Sequence, residues 1–396
     1  MSFFAAIIGL ALLVLIHEAG HFFAARAVGM TPRKFYLGFG QPIVKKVHNG
    51  VEYGIGAFPL GGYVKIPGMS RPEAGALAGG LRESIVNEHR SEIARVDVAL
   101  EEGDEQGARD ALEELRPAIG ETRAWQELEM SLAPDAYWRQ NTWRRLVAIG
   151  AGPAVNLVFA VILFACVFMV ATDTNRTTNQ VGSVLAGTPA AQAGLKEGDR
   201  LVRINGHRVD PRHMAEEIRA TKGQPFRLVV RRGTKTVVIP SIAAKRDNGA
   251  YRIGIAIVGQ LGPGESIGPA FRDAGKEVWF ETRGTAVGMS RLFTGRDTKN
   301  VSSSVGIVRV SAAAWRQGLR DFLAVLASIS LALGVLNLIP VLPLDGGHIV
   351  IALVEKLRGR TFAQAVYVRY SLVGISLFAI LMYLGLRNDL GHIFGG

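Results

Sequence analysis

His17, Glu18 and His21 stand in the run Leu15-Ile16-His17-Glu18-Ala19-Gly20-His21, inside an apolar stretch that begins at Phe3. On an α-helix, residues i and i+4 share a face, so His17 and His21 point the same way. Two imidazoles at that spacing can hold one zinc ion. Glu18 follows about 100° round the helix, within reach of a water on such an ion. Zinc lowers the pKa of that water to about 7, and a carboxylate can then take its proton. Ionisable groups are costly among apolar membrane residues and are usually kept there for function. The chemistry this predicts is metal-assisted hydrolysis of a peptide bond within, or just under, a lipid bilayer.

Zinc held by two histidines needs a third ligand. The segment Asn337-Leu338-Ile339-Pro340-Val341-Leu342-Pro343-Leu344-Asp345-Gly346-Gly347-His348 ends another hydrophobic run. Its two prolines, three residues apart, break a helix, and its glycines allow sharp turns. Broken helices at membrane depth are tolerated where they line a cavity within the protein. A carboxylate there needs a partner. Asp345 alone could simply cap a helix end; beside the first motif, metal ligation is the better reading.

The elements that must carry these residues are membrane spans. The chain has 396 residues, of which 48% are hydrophobic, and its mean hydropathy is +0.22. Both values are high for a wholly soluble protein. The net charge of +11 suits loops that meet anionic membrane lipids, and no nucleic-acid motif is present. Cys166 is the only cysteine, so an intramolecular disulfide is excluded. The N-terminus lacks a basic region and its apolar run carries His, Glu and His, which predicts a retained span and no cleaved signal. Four stretches are long enough to cross a bilayer: 1–25, 146–171, 322–348 and 369–387. Arg26, Arg33 and Lys34 follow the first span, and Arg139, Arg144 and Arg145 precede the second. Lys356, Arg358, Arg360 and Arg369 lie between the last two. The positive-inside bias makes these sides cytoplasmic and puts both termini and residues 172–321 outside.

Residues 26–68 alternate glycines with β-formers and predict a β-hairpin with Gly-rich turns. Residues 69–138 form an acidic insertion. Within it, 71–135 hold 16 acidic residues against 7 arginines, a net charge of −9, which leaves +20 on the rest. Apolar residues at helical spacing (Ile93, Val96, Leu100; Leu112, Leu115, Ile119) predict two or three surface helices there. Residues 265–320 mix large apolar side chains with Arg and Lys, as an interfacial amphipathic segment does.

Taken together, these motifs resemble the site-2 protease family of intramembrane zinc metalloproteases, most nearly its bacterial subgroup that regulates sigma-E. The resemblance is carried by His17-Glu18-Ala19-Gly20-His21, by Asn337-x-x-Pro340-x-x-Pro343-Leu344-Asp345-Gly346-Gly347, by Gly152-Pro153-Ala154-Val155-Asn156 and by Phe58-Pro59-Leu60-Gly61-Gly62-Tyr63-Val64-Lys65. It covers most of the chain, with the acidic insertion as the main unmatched part. It implies His17, His21 and Asp345 as zinc ligands and Glu18 as the general base. It implies that Asn337 orients substrate or stabilises an oxyanion and that Asn156 contacts the substrate backbone. The hairpin edge at Gly61 and Gly62 would pair with an unwound substrate by strand addition.

The run from Val181 to Gly206, with its Gly198-Asp199 pair and Asn205-Gly206 turn, resembles a PDZ domain of the bacterial, circularly permuted type. This places one such domain over 178–258, where two in tandem stand in the sigma-E subgroup. The fold class expected is a multi-pass α-helical membrane protein with about four transmembrane helices, a cytoplasmic membrane-associated β-hairpin and an extracytoplasmic β-rich PDZ domain. It would sit in the bacterial inner membrane with its active site toward the cytoplasm. It would cleave the membrane segment of single-pass substrates such as anti-sigma factors and remnant signal peptides. A catalytically silent, zinc-stabilised PDZ scaffold is the alternative; Glu18 argues against it, because a structural site needs only ligands. A zinc transporter would need more polar residues in the spans.

Overall fold

Helix α1 (Ser2–Ala27) is apolar around nearly its whole circumference, as a helix with no water-facing side must be. The computed structural model describes residues 2–185, 187–211, 213–247, 250–293 and 304–394. The chain divides into two units, Met1–Val167 with Gly268–Gly396, and Phe168–Ile267. Among the described residues, four helical segments are long and apolar enough to cross a membrane: Ser2–Ala27, Thr142–Val170, Leu319–Asn337 and Gln364–Arg387.

In the first unit α1 is followed by strands β1 (Lys34–His48) and β2 (Val51–Lys65), joined by an Asn49-Gly50 turn. Both turn residues have positive φ, 48° and 76°, the conformation that closes a tight hairpin. Each strand bends and pairs twice. Phe35 lies opposite both Tyr53 and Val64, and Tyr36 opposite both Gly54 and Tyr63. The start of β1 is therefore flanked on both sides, and Gly62–Lys65 forms an edge. Tyr36 stacks on Tyr63 at 5.2 Å, fills the space a side chain at Gly54 would need, and donates to Glu52 at 2.6 Å.

Four helices follow in place of the two or three expected: α2 (Glu83–Glu88), α3 (Arg90–Glu102), α4 (Glu105–Ile119) and α5 (Arg123–Leu132). They have a hydrophobic core of their own around Val96, Leu112, Leu115, Trp125 and Leu128. Asp104 caps α4 by accepting from the Gly107 N–H at 2.9 Å, and Thr122 caps α5. Helix α6 (Thr142–Val170) then crosses α1.

The second unit is β-rich. Strands β3 (Ala171–Val184), β4 (Arg200–Ile204), β5 (His207–Arg208), β6 (Phe226–Arg232), β7 (Lys235–Ile242) and, after the small hairpin β8 (Lys245–Asp247) and β9 (Ala250–Arg252), β10 (Ile255–Pro263) are accompanied by two short helices, α7 (Pro189–Gln192) and α8 (Met214–Ala220). The main sheet is antiparallel in the order β10-β3-β4-β6-β7, with β5 on β4. Leu201, Leu228 and Val230 alternate inward to its core.

The chain returns to the first unit through α9 (Ile267–Phe293), α10 (Ser304–Gln317), α11 (Leu319–Asn337), α12 (Asp345–Arg358) and α13 (Gln364–Phe394). Trp279 and Phe280 of α9 are exposed, whereas α10 packs on α1 and α11. Residues 294–303 of the expected interfacial segment lie outside the described residues. The span expected over 322–348 is two helices: α11 stops at Asn337, residues 338–344 form a loop, and α12 starts at Asp345.

Candidate metal centre and substrate cavity

His17 and His21 sit one turn apart on α1 with their Nε2 atoms 3.2 Å apart. Each Nε2 is also 3.3 Å from Asp345 Oδ2. Zinc–ligand bonds of about 2.1 Å in a tetrahedral arrangement put ligand atoms about 3.4 Å apart, so the three atoms stand at zinc-binding separations. Asp345 Oδ2 is buried and has no hydrogen-bond donor among the described residues. Two imidazole lone pairs and an anionic oxygen converging in a buried place repel one another unless a proton or a cation lies between them. The donor set therefore fits a zinc ion.

The second nitrogen of each ring is held from outside. His21 Nδ1 is 2.9 Å from the Ala148 carbonyl oxygen. In the tautomer that leaves Nε2 free for a metal, Nδ1 donates to that carbonyl. His17 Nδ1 is 3.3 Å from the side-chain amide of Asn156. Asn156 is fully buried, and its Oδ1 has no hydrogen-bond partner among the described residues. Amide oxygen and nitrogen exchange places with a flip; turned to the ring, the oxygen accepts from His17 Nδ1–H. Asn156, expected to contact the substrate backbone, is placed beside the His17 ring, and the residues that border the cavity described below do not include it.

Close helix packing makes these contacts possible. A Cβ at Gly20 would lie 2.7 Å from the Ala151 oxygen, and one at Gly152 would lie 2.2 Å from His21 Nε2. Glycine at both positions lets α1 and α6 meet backbone to backbone. On the other side of α6, Gly334 approaches the Pro153 oxygen, and Ser330 Oγ donates to the Asn156 carbonyl at 2.9 Å. Thus α11 is fixed against α6 just before it ends at Asn337.

The loop that delivers Asp345 is clamped by α13. The Tyr370 hydroxyl donates to the Pro340 carbonyl, and at Gly374 no side chain fits, because the Leu342 oxygen occupies its place. Gly346 and Gly347 likewise let the loop fold back on the start of α12. Sequence reading missed Tyr370, Gly374, Gly20 and Ala148. The glycines inside the two motifs were the available signal; a carbonyl such as that of Ala148 carries none.

Glu18, His17, His21, Asp345 and Asn337 border one cavity of about 570 Å³, with Gly61, Gly62 and Tyr63 of the β2 edge as its other wall. A Cβ at Gly62 would be 3.0 Å from Glu18 Cγ and 2.9 Å from the Tyr36 oxygen. Glycine there allows the edge strand to lie directly over Glu18, while Gly61 takes φ +100°. The hairpin is braced beside this edge. Burial and the neighbouring Glu52 carboxylate push the Tyr36 hydroxyl up, and its hydrogen bond holds Glu52 below the usual carboxylate range. The arrangement brings together three side chains that could hold a metal ion, a carboxylate, a side-chain amide and an open strand edge, groups suited to hydrolysis of an extended peptide.

Comparison with known proteins agrees. Residues 5–381 match the model of peptidase family M50. A protein of Lactococcus lactis named as a zinc metalloprotease, LL2128, is 27% identical over 97% of this chain and 96% of its own length. The metalloprotease MmpA of Caulobacter vibrioides is 27% identical, covering 97% and 94%. The regulator of sigma-W protease RasP of Bacillus subtilis is 25% identical, covering 96% of each chain.

Proposed function

This chain belongs to peptidase family M50 and is a membrane zinc metalloendopeptidase, and from that premise we propose that it cleaves the membrane segment of single-pass proteins. The observation that supports this best is the position of Glu18, His17, His21 and Asp345 in one cavity whose other wall is a strand edge.

His17, His21 and Asp345 would hold the zinc. When bound, it supplies Lewis-acid polarisation of a peptide carbonyl and acidifies water. Glu18 takes the proton from the attacking water and passes it to the leaving amide nitrogen. The Asn337 amide donates to the oxygen that gains charge. Gly61 and Gly62 leave the β2 edge open to strand addition. A membrane helix hides its peptide bonds within its own hydrogen bonding, so it must be drawn into an extended form before Glu18 can act.

In this reading the protein lies in a bacterial cytoplasmic membrane with the cavity toward the cytoplasm and residues 172–321 outside. Anti-sigma factors already trimmed outside, and remnant signal peptides, are the substrate class; the name of the Bacillus subtilis relative, a regulator of sigma-W protease, supports the first of these. The second unit is a single PDZ domain. Its groove of about 520 Å³, bordered by Pro189, Met214, Ile218 and Tyr251 and by basic Arg219 and Arg252, suits a peptide end, and the unit screens out untrimmed ectodomains.

The test is cleavage of a trimmed single-pass substrate by the purified protein in liposomes, with and without chelator, and with zinc restored. Glu18→Gln should abolish cleavage and retain zinc. Normal turnover in that variant would remove Glu18 from the chemistry.

A further inference from the structure

The second unit, Phe168–Ile267, holds 15 lysines and arginines against 8 acidic residues, a net charge of +7. Five of the arginines stand on one face of its main sheet. Leu201, Phe226, Leu228 and Val230 turn to the core, so the residues between them in the pleat turn outward. Arg200 lies directly opposite Arg231. Arg203 lies opposite Val229 on one side and Arg208 on the other. Residues paired in this way share a face, and Arg227, between Phe226 and Leu228, turns the same way. All five arginines are exposed.

This arrangement is costly. Like charges directly opposite one another destabilise a sheet, and here two such pairs adjoin. Among the described residues, none of the five arginines has an ion-pair partner. Arg232, the next residue after Arg231, shows the contrast, since it pairs with buried Asp199 at 2.8 Å. Strands β4, β5, β6 and β7 contain no Asp or Glu. Beside the arginines stand Val229, Thr236 and Val238, and Val238 is 45% exposed. The other face of the sheet is the covered one, where Ala190 of α7 and Met214 and Ile218 of α8 join the core.

Uncompensated guanidinium groups call for an anion, and phosphate is the one their planar fork fits. The face is broad and has no groove for a single extended peptide, so it matches an array of phosphates. The chain also says where that array is. Strand β3 begins at Ala171, immediately after Val170 ends α6, and α6 is long and apolar enough to cross a membrane. No linker separates the span from the sheet. At the other end, three residues lead from Pro263 to α9, a reach of at most about 11 Å. A tether this short keeps the unit at a high effective concentration of lipid headgroups.

We propose that the outward face of this sheet binds anionic phospholipid headgroups of the membrane that α6 crosses. The arginines then hold the unit on the bilayer surface, with the two valines against the headgroup layer. The inference rests on the chain's being a membrane protein and is independent of the proteolytic chemistry.

The experiment uses the full-length protein with Cys166 replaced by Ser and one fluorophore-labelled cysteine. Thr236→Cys reports from the arginine face, and Ala215→Cys reports from α8 on the covered side. Each is reconstituted in vesicles of phosphatidylcholine alone, or of equal parts phosphatidylcholine and phosphatidylglycerol, with a quencher on the lipid headgroup. The Thr236 label should be quenched strongly in the anionic vesicles and weakly in the neutral ones, and the Ala215 label weakly in both. Each arginine near an anionic surface strengthens binding about fivefold. Arg200→Gln with Arg231→Gln should therefore bring the Thr236 signal down to its level in neutral lipid. This double variant also removes a repulsion, so its unfolding midpoint should not fall. Strong quenching in both lipids, weak quenching in both, or a signal unchanged in the double variant would overturn the proposal. A signal that stays weak in anionic vesicles but responds to added polyglutamate would do the same, and would make an acidic protein the occupant.

Discussion

Gly152 faces His21 so closely that a β-carbon on the glycine would lie 2.2 Å from the histidine's Nε2. The same stretch of α6 supplies the Ala148 carbonyl that fixes His21 Nδ1. Helix α6 therefore sets the position of one metal-ligand candidate through its backbone alone. Gly152→Ala should push His21 out of line with His17 and Asp345. We expect at least tenfold weaker zinc retention, with cleavage lost in parallel. Metal analysis after gel filtration checks this; a variant with full zinc and full activity would mean that the helices part freely.

Asn156 acts on the other ring. It is buried 3.3 Å from His17 Nδ1, so its removal leaves that nitrogen without a partner and the ring free to turn. Asn156→Ala should weaken zinc about 10- to 100-fold. A substrate-contact role would instead raise KM at unchanged zinc affinity, and a zinc titration beside steady-state kinetics separates the two.

The difference between these residues shows what the sequence carries. His17, Glu18, His21 and Asp345 were legible because their chemistry is costly among apolar residues and their spacing is fixed by the helix or by prolines. The apolar spans were legible from length alone. Asn156 was recognised as a motif residue, but its place beside His17 was not legible, since which way an amide faces is decided by the packing of α6 on α1 and α11. The core of the acidic insertion was underestimated: Leu77, Ala108 and Leu132 are buried in it, but they meet only after the four helices assemble. Arg145 was counted as a juxtamembrane positive charge, and nothing local reveals that its partner is Glu355.

The second unit has an acid-sensitive joint. Asp199, fully buried, accepts from Arg232 through two nitrogens at 2.8 Å and from the Lys196 N–H at 2.9 Å. The Arg232 hydrogen bonds hold its carboxyl below the ordinary value of 3.8. A carboxylate whose pKa is depressed by folding adds stability above its unfolded pKa, and that stability is lost as pH falls through the folded value. Protection of β4 and β6 amides from hydrogen exchange should therefore drop below about pH 4. Asp199→Asn should lose about 1–3 kcal/mol at neutral pH and show a much smaller acid effect. An identical acid response in the variant would place the sensitivity elsewhere.

Arg145 and Glu355 join the two halves of the site across 210 residues of chain. Their side chains are each 4% exposed and meet at 2.6 Å. The other Glu355 oxygen accepts from the Phe362 N–H at 2.6 Å and the Tyr367 hydroxyl at 3.3 Å, and the guanidinium lies 4.7 Å over the Tyr137 ring. The pair ties α12, which begins at Asp345, to α6, which carries Gly152 and Asn156. A buried pair of this kind adds little net stability over an apolar replacement, but breaking one half strands a buried charge. Glu355→Leu should therefore cost about 3–5 kcal/mol and weaken zinc retention with it. Combining it with Arg145→Met should recover at least about 1 kcal/mol, although Phe362 N–H and the Tyr367 hydroxyl still lack their acceptor. Thermal unfolding of the parent, both single variants and the double variant in detergent closes this cycle. Strict additivity of the two changes would mean that the charges stabilise the protein independently and that α12 is positioned by its apolar contacts.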